Sequence, residues 1–190
     1  MSIESTPFKL KIGKVSGVQV WKMPTHTDLR GRLFKSYSAA DTAIFPVPFD
    51  TYEHFFTESK EMVFRGMHFQ GDPHSVSKII SIVQGKALDF LFDFREKSET
   101  FGILQIVDLD ETIPASILIP EGVAHGYLAL SQTIISYRMD GPFCMKCDGG
   151  INGELVSDYL PVLISETIRS TRDIELINFD KFEHHSECER

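Results

Sequence analysis

The sequence has few cysteines, one tryptophan and no long hydrophobic run. Three cysteines in 190 residues are too few, and too odd in number, for the disulfide framework of a small secreted domain. No stretch approaches the roughly 18 consecutive apolar residues that a membrane-spanning helix needs. The first residues, MSIESTPFKLKIGK, contain no apolar segment of the signal-peptide type. These features predict a cytoplasmic protein that does not bind a membrane.

The sequence also lacks an excess of positive charge. Its formal net charge is −8, which argues against a general nucleic-acid-binding protein because a phosphate backbone requires a broad basic surface. A single phosphorylated small molecule is still allowed, since two or three local cations are enough to bind it.

The cysteines do not indicate a metal site. Cys144 and Cys147 form a lone Cys-x-x-Cys pair, and the third cysteine is Cys188. A structural zinc site needs four ligands, and the sequence offers no second pair. We therefore expect reduced thiols without a specific role.

The length fits one domain over residues 1–190, ending in a polar tail over about 181–190. Short segments of alternating apolar and polar residues, separated by turns, run from about residue 61 to 140. The predicted strands are Lys78–Gln84, Ala87–Phe94, Ile103–Leu109, Ser116–Ile119, Tyr127–Leu130 and Thr133–Met139. No helical segment of 10–15 residues separates them, so the pattern favours an all-β sandwich or barrel.

Two segments outside these strands are less regular. Residues 41–60 are rich in aromatic residues and proline, which predicts a long ordered loop, a dimer arm or both. Residues 158–180 give mixed signals that allow short helical turns.

Two histidine motifs suggest proton chemistry beside a carbonyl. The first, Arg65-Gly-Met-His-Phe-Gln70, contains His68 and is followed ten residues later by Lys78. The second, Ile119-Pro-Glu-Gly-Val-Ala-His-Gly126, reads as a turn that carries His125. A histidine can act as a base, and a lysine can stabilise the negative charge that develops on a carbonyl oxygen.

These motifs resemble the dTDP-4-dehydrorhamnose 3,5-epimerase family over about residues 20–180. The matching segments are Asp28-Leu-Arg-Gly31, Arg65–Gln70, Lys78, Val83-Gln-Gly85, Asp89, Asp93-Phe-Arg95, Thr100-Phe-Gly102, Ile119–Gly126, Tyr137-Arg138 and Ser170-Thr-Arg-Asp173. The resemblance implies a cupin-like jelly-roll β-barrel with short peripheral helices. It also implies a homodimer that exchanges strands, and a nucleotide-diphosphate 4-keto-6-deoxy sugar as substrate.

The resemblance assigns catalytic roles to four residues. His68 is the base that removes a proton from C3 or C5, next to the carbonyl, and Asp173 orients it. Lys78 stabilises the enolate oxygen. Tyr137 is the acid on the opposite side of the ring, although one residue fewer than the family pattern separates it from His125.

Four further residues are candidates for binding the substrate. Arg65 and Arg30 are candidates for the diphosphate, His125 lies behind the catalytic residues, and Gln70 ends the first motif. Metal-binding cupins carry His-x-His with a nearby carboxylate, whereas this chain has His68-Phe69-Gln70. We therefore predict no metal and no organic cofactor.

Each assignment has a structural alternative. Tyr137 shares a strand face with Thr133, Ile135 and Met139, which also fits core packing. His125 equally fits a residue that closes a turn. Two other functions keep the same fold: a nucleotide-sugar 3,4-ketoisomerase and a non-catalytic protein that binds sugar nucleotides.

The chain departs from the family pattern where the ligand binds. Lys35 replaces a glutamate, and Glu53–Thr57 replaces a Gln-x-Asn-x-Ser stretch. Pro142-Phe143 follows Tyr137 where the family has paired tyrosines. These changes leave the proton-transfer residues in place, so we expect the nucleotide, the sugar or the number of inverted centres to differ.

Overall fold

The computed structural model describes residues 10–41, 45 and 48–179, and it is predominantly β-structure. Its strands are β1 (Lys11–Ile12), β2 (Gln19–Lys22), β3 (Thr25–Asp28), β4 (Gly31–Phe34), β5 (Glu53–Ser59), β6 (Phe64–Gln70), β7 (Lys78–Gln84), β8 (Lys86–Asp93), β9 (Ile103–Asp110), β10 (Ala115–Ile119), β11 (Val123–Ala129), β12 (Thr133–Met139) and β13 (Asp148–Gly150). The predicted all-β class is confirmed. None of the helices in these ranges has the length and apolarity needed to cross a membrane.

The strands form two main sheets of a jelly-roll barrel. The six-stranded sheet has the order β1-β9-β8-β11-β6-β13, and the five-stranded sheet has the order β2-β10-β7-β12-β5. Strands β3 and β4 form a separate hairpin. Strand β5 therefore has one unpaired edge among the described residues.

Strand β8 shows why the six-stranded sheet is buried on both faces. Ala87 and Leu91 belong to the cluster packed between the two sheets. Phe90 and Phe92 point to the other face, into a second cluster that includes Val156 of a short 3-10 helix, Gly153–Tyr159. The alternation of residues along Ala87–Phe94 produces these two faces. It also places Asp89 on the inner face, among the residues of the barrel interior.

The strand predictions are confirmed at β7 and β12 and need correction around the two histidines. His68 lies inside β6, and His125 lies inside β11 instead of in a turn. The segment expected as a loop or arm over residues 41–60 contains strand β5. Strand β6 was missed, and β11 was predicted only from Tyr127 onward, because the two motifs contain glycine and polar residues that obscure the alternation.

Strands β6 and β11 are paired so that His68 and His125 lie opposite each other. The pairing shifts register between His125 and Tyr127. Gly66 has φ of +116°, and a Cβ there would lie 2.6 Å from Cα of Gly126. Only glycine allows this close approach of the two backbones, so the glycine of the first motif sets the position of the histidines.

The expected helical turns after residue 158 are present. They include Ile164–Glu166 and a short helix, α1, over Thr171–Glu175. The Ser170 side chain caps α1 by accepting a hydrogen bond from the backbone N–H of Asp173 at 3.1 Å. This cap orients the buried Asp173 toward β6. The polar tail predicted over 181–190 lies outside the described residues.

Candidate active site

A pocket of about 200 Å³ opens between the two sheets and contains most of the predicted site residues. Its lining residues are Phe55, Thr57, Arg65, His68, Gln70, Lys78, His125, Tyr127, Tyr137, Met139, Phe143, Asp148 and Arg172. The six-stranded sheet contributes the two histidines, and the five-stranded sheet contributes Tyr137 and Lys78. The imidazole of His68 and the phenol of Tyr137 therefore come from opposite walls of one cavity.

His68 is paired with a buried carboxylate. Its Nε2 lies 2.7 Å from Oδ1 of Asp173, and the two side chains are 27% and 6% exposed. Burial alone would raise the pKa of Asp173, but hydrogen bonds from His68, the backbone of Gly66 and Ser170 outweigh it and lower that pKa. An ionised Asp173 accepts a proton held on Nε2, which leaves the lone pair of Nδ1 available to act as a base.

Tyr137 has the protonation state that an acid requires. Its ring is 7% exposed and is stacked on Phe55, with centroids 5.0 Å apart and planes 4° apart. Burial raises the pKa of the Tyr137 phenol well above its usual value, and the nearby Tyr127 and Asp89 raise it further. The phenol therefore keeps its proton over the physiological pH range and can donate it to a carbanion.

Lys78 begins strand β7 and brings a cation to the same pocket. Burial lowers the pKa of the Lys78 ammonium, Asp148 opposes this effect, and Arg172 adds to it. Arg172 Nη2 also forms a salt bridge of 2.6 Å with Asp148 Oδ2. Two cations, Lys78 and Arg172, thus share one carboxylate, Asp148, so these three residues give this end of the pocket a net positive charge.

A second histidine–carboxylate pair lies deeper in the barrel. His125 Nε2 is 2.8 Å from Oδ2 of Asp89, and both side chains are buried. Burial raises the pKa of Asp89, while His125 acts in the opposite direction. The His125 ring is 5.9 Å from that of Tyr137. This pair supports the floor of the pocket, beneath the tyrosine.

Hydroxyl groups connect the floor to the rim. The Tyr127 hydroxyl is hydrogen-bonded to Thr57 at 3.0 Å and to Ser59 at 2.8 Å. Arg65 Nε donates to the Ser59 hydroxyl at 2.9 Å. Arg65 lines the pocket and is exposed to solvent, so its guanidinium lies at the pocket mouth. The hydrogen bond from Nε to Ser59 restrains the side chain there.

The structure brings together seven of the eight predicted site residues. Six line the pocket, and Asp173 contacts His68. Arg30 is the exception, because it lies on the exposed β3–β4 hairpin and pairs with Asp28 at 2.6 Å. Phe34 attaches this hairpin to the core between the sheets, and Arg32 donates a hydrogen bond to the carbonyl of Glu111, but Arg30 is not among the residues that line the pocket. The assignment of Arg30 to the substrate site therefore stays a prediction.

Sequence reasoning missed several pocket residues. Phe55 and Thr57 were noted only as departures from the family pattern, and Arg172 only as a neighbour of Asp173. Tyr127 was read as part of a strand. The signal for Arg172 was its position beside Asp173 in the matching segment Ser170–Asp173. Its side chain pairs with Asp148 of β13, whereas Asp173 contacts His68 of β6.

The residues described in the pocket do not resemble a cupin metal centre. His68 and His125 each pair with a different carboxylate, and Phe69 packs in the outer cluster. The cluster of potential metal ligands among the described residues lies elsewhere, at His74, Cys144 and Cys147. A larger open groove of about 680 Å³ borders the pocket at Gln70, but its lining contains neither histidine nor tyrosine. The smaller pocket is therefore the candidate active site.

The fold and the pocket define a cupin-type jelly-roll protein with a histidine, a tyrosine and a lysine in one cavity. Comparison with known proteins gives its family. The model of the dTDP-4-dehydrorhamnose 3,5-epimerase family matches residues 13–181. The chain belongs to this family.

Individual relatives agree with this result. The Escherichia coli dTDP-4-dehydrorhamnose 3,5-epimerase is 31% identical, over 81% of this chain and 85% of that protein. The Sinorhizobium fredii enzyme of the same name is 33% identical over 46% of this chain, and the match spans only 45% of that enzyme. The crystal structure of the Sulfolobus tokodaii enzyme superposes with a TM-score of 0.81 at 27% identity, covering 94% of this chain and 98% of that one.

Proposed function

We propose that this protein is an epimerase that inverts C3, C5 or both in a nucleotide-diphosphate 4-keto-6-deoxy sugar. The observation that carries the proposal is the placement of His68 and Tyr137 on opposite walls of one pocket, with Lys78 in the same cavity. Inversion requires a base on one face of the carbon and an acid on the other. The family of the chain supports the same chemistry.

His68 performs the first step. The carbonyl at C4 acidifies the protons on C3 and C5, and Nδ1 of His68 takes one of them. Asp173 then stabilises the imidazolium through the 2.7 Å contact with Nε2. A positioned base of this kind contributes about 100- to 10,000-fold to the rate.

Lys78 acts on the intermediate. Loss of the proton leaves an enolate with negative charge on the C4 oxygen, and a nearby ammonium stabilises that charge. The positive end of the pocket, formed by Lys78, Arg172 and Asp148, is suited to this task. The same charges favour binding of the enolate over the neutral ketone.

Tyr137 completes the reaction by donating its phenolic proton to the opposite face of the carbon. The carbonyl re-forms and the configuration is inverted. The Tyr137 ring stacks on Phe55 and also contacts the ring of His125, which is paired with the buried Asp89. These contacts hold the phenol in one position. Before the next turnover the His68 imidazolium releases its proton to solvent and the tyrosinate regains one, and these steps require no cofactor.

The size of the pocket supports a nucleotide sugar bound with only its sugar inside. Whole-ligand sites occupy about 300–1,000 Å³, whereas this pocket measures about 200 Å³. The nucleotide must then extend through the mouth, where the Arg65 guanidinium can contact the diphosphate. Phe55 replaces an expected amide in the lining, so the bound sugar or nucleotide differs in detail from that of the family pattern.

We further propose a homodimer. Among the described residues, strand β5 has an unpaired edge and carries the exposed side chains of Phe55 and Phe56. Leu29 and Leu33 are exposed on the β3–β4 hairpin. An open strand edge beside exposed apolar residues favours pairing with a second copy. In such a dimer the hairpin of one subunit supplies Arg30 to the pocket of the other. The single-domain organisation and the cytoplasmic location stay predictions from the sequence.

Incubation with candidate 4-keto sugars in deuterated water, followed by NMR of the product, tests the reaction. Epimerisation predicts deuterium at C3 or C5 with inverted configuration, and His68→Asn should abolish both. A 3-keto product would instead identify a ketoisomerase. Binding of the nucleotide sugar without any exchange would identify a non-catalytic binding protein.

A further inference from the structure

A cluster of soft metal ligands lies beside the pocket, on two loops. One ring nitrogen of His74 and the sulfur atoms of Cys144 and Cys147 all lie within 4.8 Å of one another. His74 is on the loop between β6 and β7, and the cysteines are on the turn between β12 and β13. The sequence gives no sign of this meeting, because His74 and Cys147 are 73 residues apart.

We propose that His74, Cys144 and Cys147 bind a zinc-type divalent metal ion in the reduced protein. Two thiolates and an imidazole are ligands that favour zinc over magnesium or calcium. Nδ1 of His74 lies 3.3 Å from Sγ of Cys147. In a tetrahedral zinc site the nitrogen and sulfur ligands are separated by roughly 3.5 Å. The distance between these two atoms is therefore already close to the one that zinc requires. Water can complete the coordination.

The backbone holds these ligands in place without the metal. The carbonyl of Cys144 accepts hydrogen bonds from the backbone N–H groups of Cys147 and Asp148, at 3.1 and 2.9 Å. This turn directs both cysteine side chains to one side. The carbonyl of Cys147 accepts from the N–H of Gly71 at 2.9 Å, which ties the turn to the loop that carries His74.

Gln70 joins the two loops through its side chain. Its Oε1 accepts from the N–H of Cys144 at 2.8 Å, and its Nε2 donates to the carbonyls of Pro142 and His74. Gln70 is buried and lies two residues after His68 on β6. A site whose supporting residues are fixed by hydrogen bonds is preorganised for a metal.

The redox state of Cys147 decides whether the site can form. Cys147 is disulfide-bonded in this structure, so the expectation of reduced thiols is wrong for this residue. A sulfur in a disulfide is not the thiolate that binds zinc. Reduction of that disulfide by a phosphine and water breaks the S–S bond, oxidises the phosphine to its oxide and yields two thiols. Zinc binding then releases the thiol protons of Cys144 and Cys147 to solvent.

The location suggests what the metal does. The loop that carries His74 leads directly into Lys78, and the turn that carries the cysteines includes Phe143, which lines the pocket. A metal ion bound by both segments would fix that side of the pocket. This is a positioning role, and it does not depend on which reaction the pocket performs.

The direct test is metal binding by the full chain kept in a phosphine reductant. After removal of metal with a chelator, the protein is titrated with Co²⁺, which reports tetrahedral thiolate coordination through its charge-transfer and d–d absorption. Zinc content is then measured by mass spectrometry. We expect about one ion per chain and thiolate bands that Zn²⁺ abolishes.

Single variants identify the ligands. His74→Gln, Cys144→Ser and Cys147→Ser should each weaken binding at least 10-fold, since loss of residues that merely support a ligand already weakens it about 10- to 100-fold. His26→Gln, on the exposed β3–β4 hairpin, is the matched control and should bind as wild type does. Reduced wild-type protein that binds no Co²⁺ or Zn²⁺, or variants that bind as tightly as wild type, would overturn the proposal. Neither readout uses turnover, so failure here is distinct from failure of the proposed epimerase activity.

Discussion

Asp173 determines which nitrogen of His68 can act as a base. Oδ1 of Asp173 faces Nε2 of His68, and Asp173 is itself held by Ser170 and Gly66. Replacing the carboxylate with an amide of the same shape keeps the packing but removes the negative charge that stabilises the imidazolium.

We expect Asp173→Asn to lower the rate of deuterium exchange by about 100- to 10,000-fold, the usual contribution of a positioned base. The measurement is exchange at C3 and C5 with saturating substrate. Asp108→Asn, an exposed residue on β9, is the control and should leave the rate unchanged. An Asp173→Asn protein with the wild-type rate would show that His68 works without a carboxylate partner.

Tyr137→Phe separates removal of the proton from its return. Phenylalanine preserves the stacking on Phe55, so the pocket should stay intact. The base is still present, and we expect deuterium to enter from the His68 face with retained configuration while inversion falls at least about 100-fold. NMR distinguishes the two products. Equal loss of exchange and inversion would place Tyr137 in binding or packing.

The lowered pKa of Lys78 predicts where activity declines at alkaline pH. Burial lowers the pKa of Lys78 from 10.5, and the protonated form is the active one. Activity should therefore be full below this lowered pKa and should decline as pH rises through it, at a pH below 10.5. In Lys78→Arg, whose guanidinium stays charged, the decline should move to higher pH even if the rate is lower. An alkaline limb that is identical in both proteins would contradict the role of Lys78.

At the scale of elements, the turn after β8 depends on one buried carboxylate. Asp93 accepts hydrogen bonds from Arg95 Nε and Nη2, both at 2.8 Å, and from the hydroxyls of Ser98 and Thr100. Burial alone would raise the pKa of Asp93, but these donors lower it to about 2. The network closes the β8–β9 connection at the end of the barrel near the larger groove.

This network should make stability depend on pH. An unfolded aspartate has a pKa of about 3.9, so the contribution of Asp93 is complete above that pH and is lost as pH falls toward 2. We expect Asp93→Asn to reduce the free energy of unfolding at pH 6 by about 2 kcal/mol. Urea denaturation at pH 6 and pH 3 should show the gap from wild type narrowing at pH 3. A gap that does not change with pH would mean that the charge of Asp93 contributes nothing.

The elements also show how much of the site could be predicted from sequence. Strands β7 and β12 alternate regularly, and their bounds were predicted correctly together with the placement of Lys78 and Tyr137. In β6 and β11 the alternation is interrupted by Gly66 and by the register shift between His125 and Tyr127. The two backbones approach each other closely at these points, which a regular strand pair does not do. The meeting of His74 with the cysteine pair depends on two loops distant in sequence, and no local pattern reports it.

At the scale of the whole molecule, the proposed dimer makes Arg30 a residue of the neighbouring pocket. Arg30→Ala and His68→Asn should each be nearly inactive alone. A co-refolded equal mixture should recover about a quarter of wild-type activity, because half of the dimers are mixed and each contains one intact pocket. Light scattering checks that the proteins are dimers. If Arg30 acts within its own subunit, or not at all, the mixture will show no such recovery above the mean of the two variants.

The most direct test of the whole account is a crystal structure of His68→Asn with a nucleotide-diphosphate 4-keto sugar bound. We expect the sugar ring inside the smaller pocket, with residue 68 and Tyr137 on its opposite faces and the Lys78 ammonium beside the C4 oxygen. We expect the diphosphate at the mouth of the pocket, near Arg65. A sugar ring in the larger groove lined by Phe94 and Arg95, or one with both side chains on the same face, would contradict it.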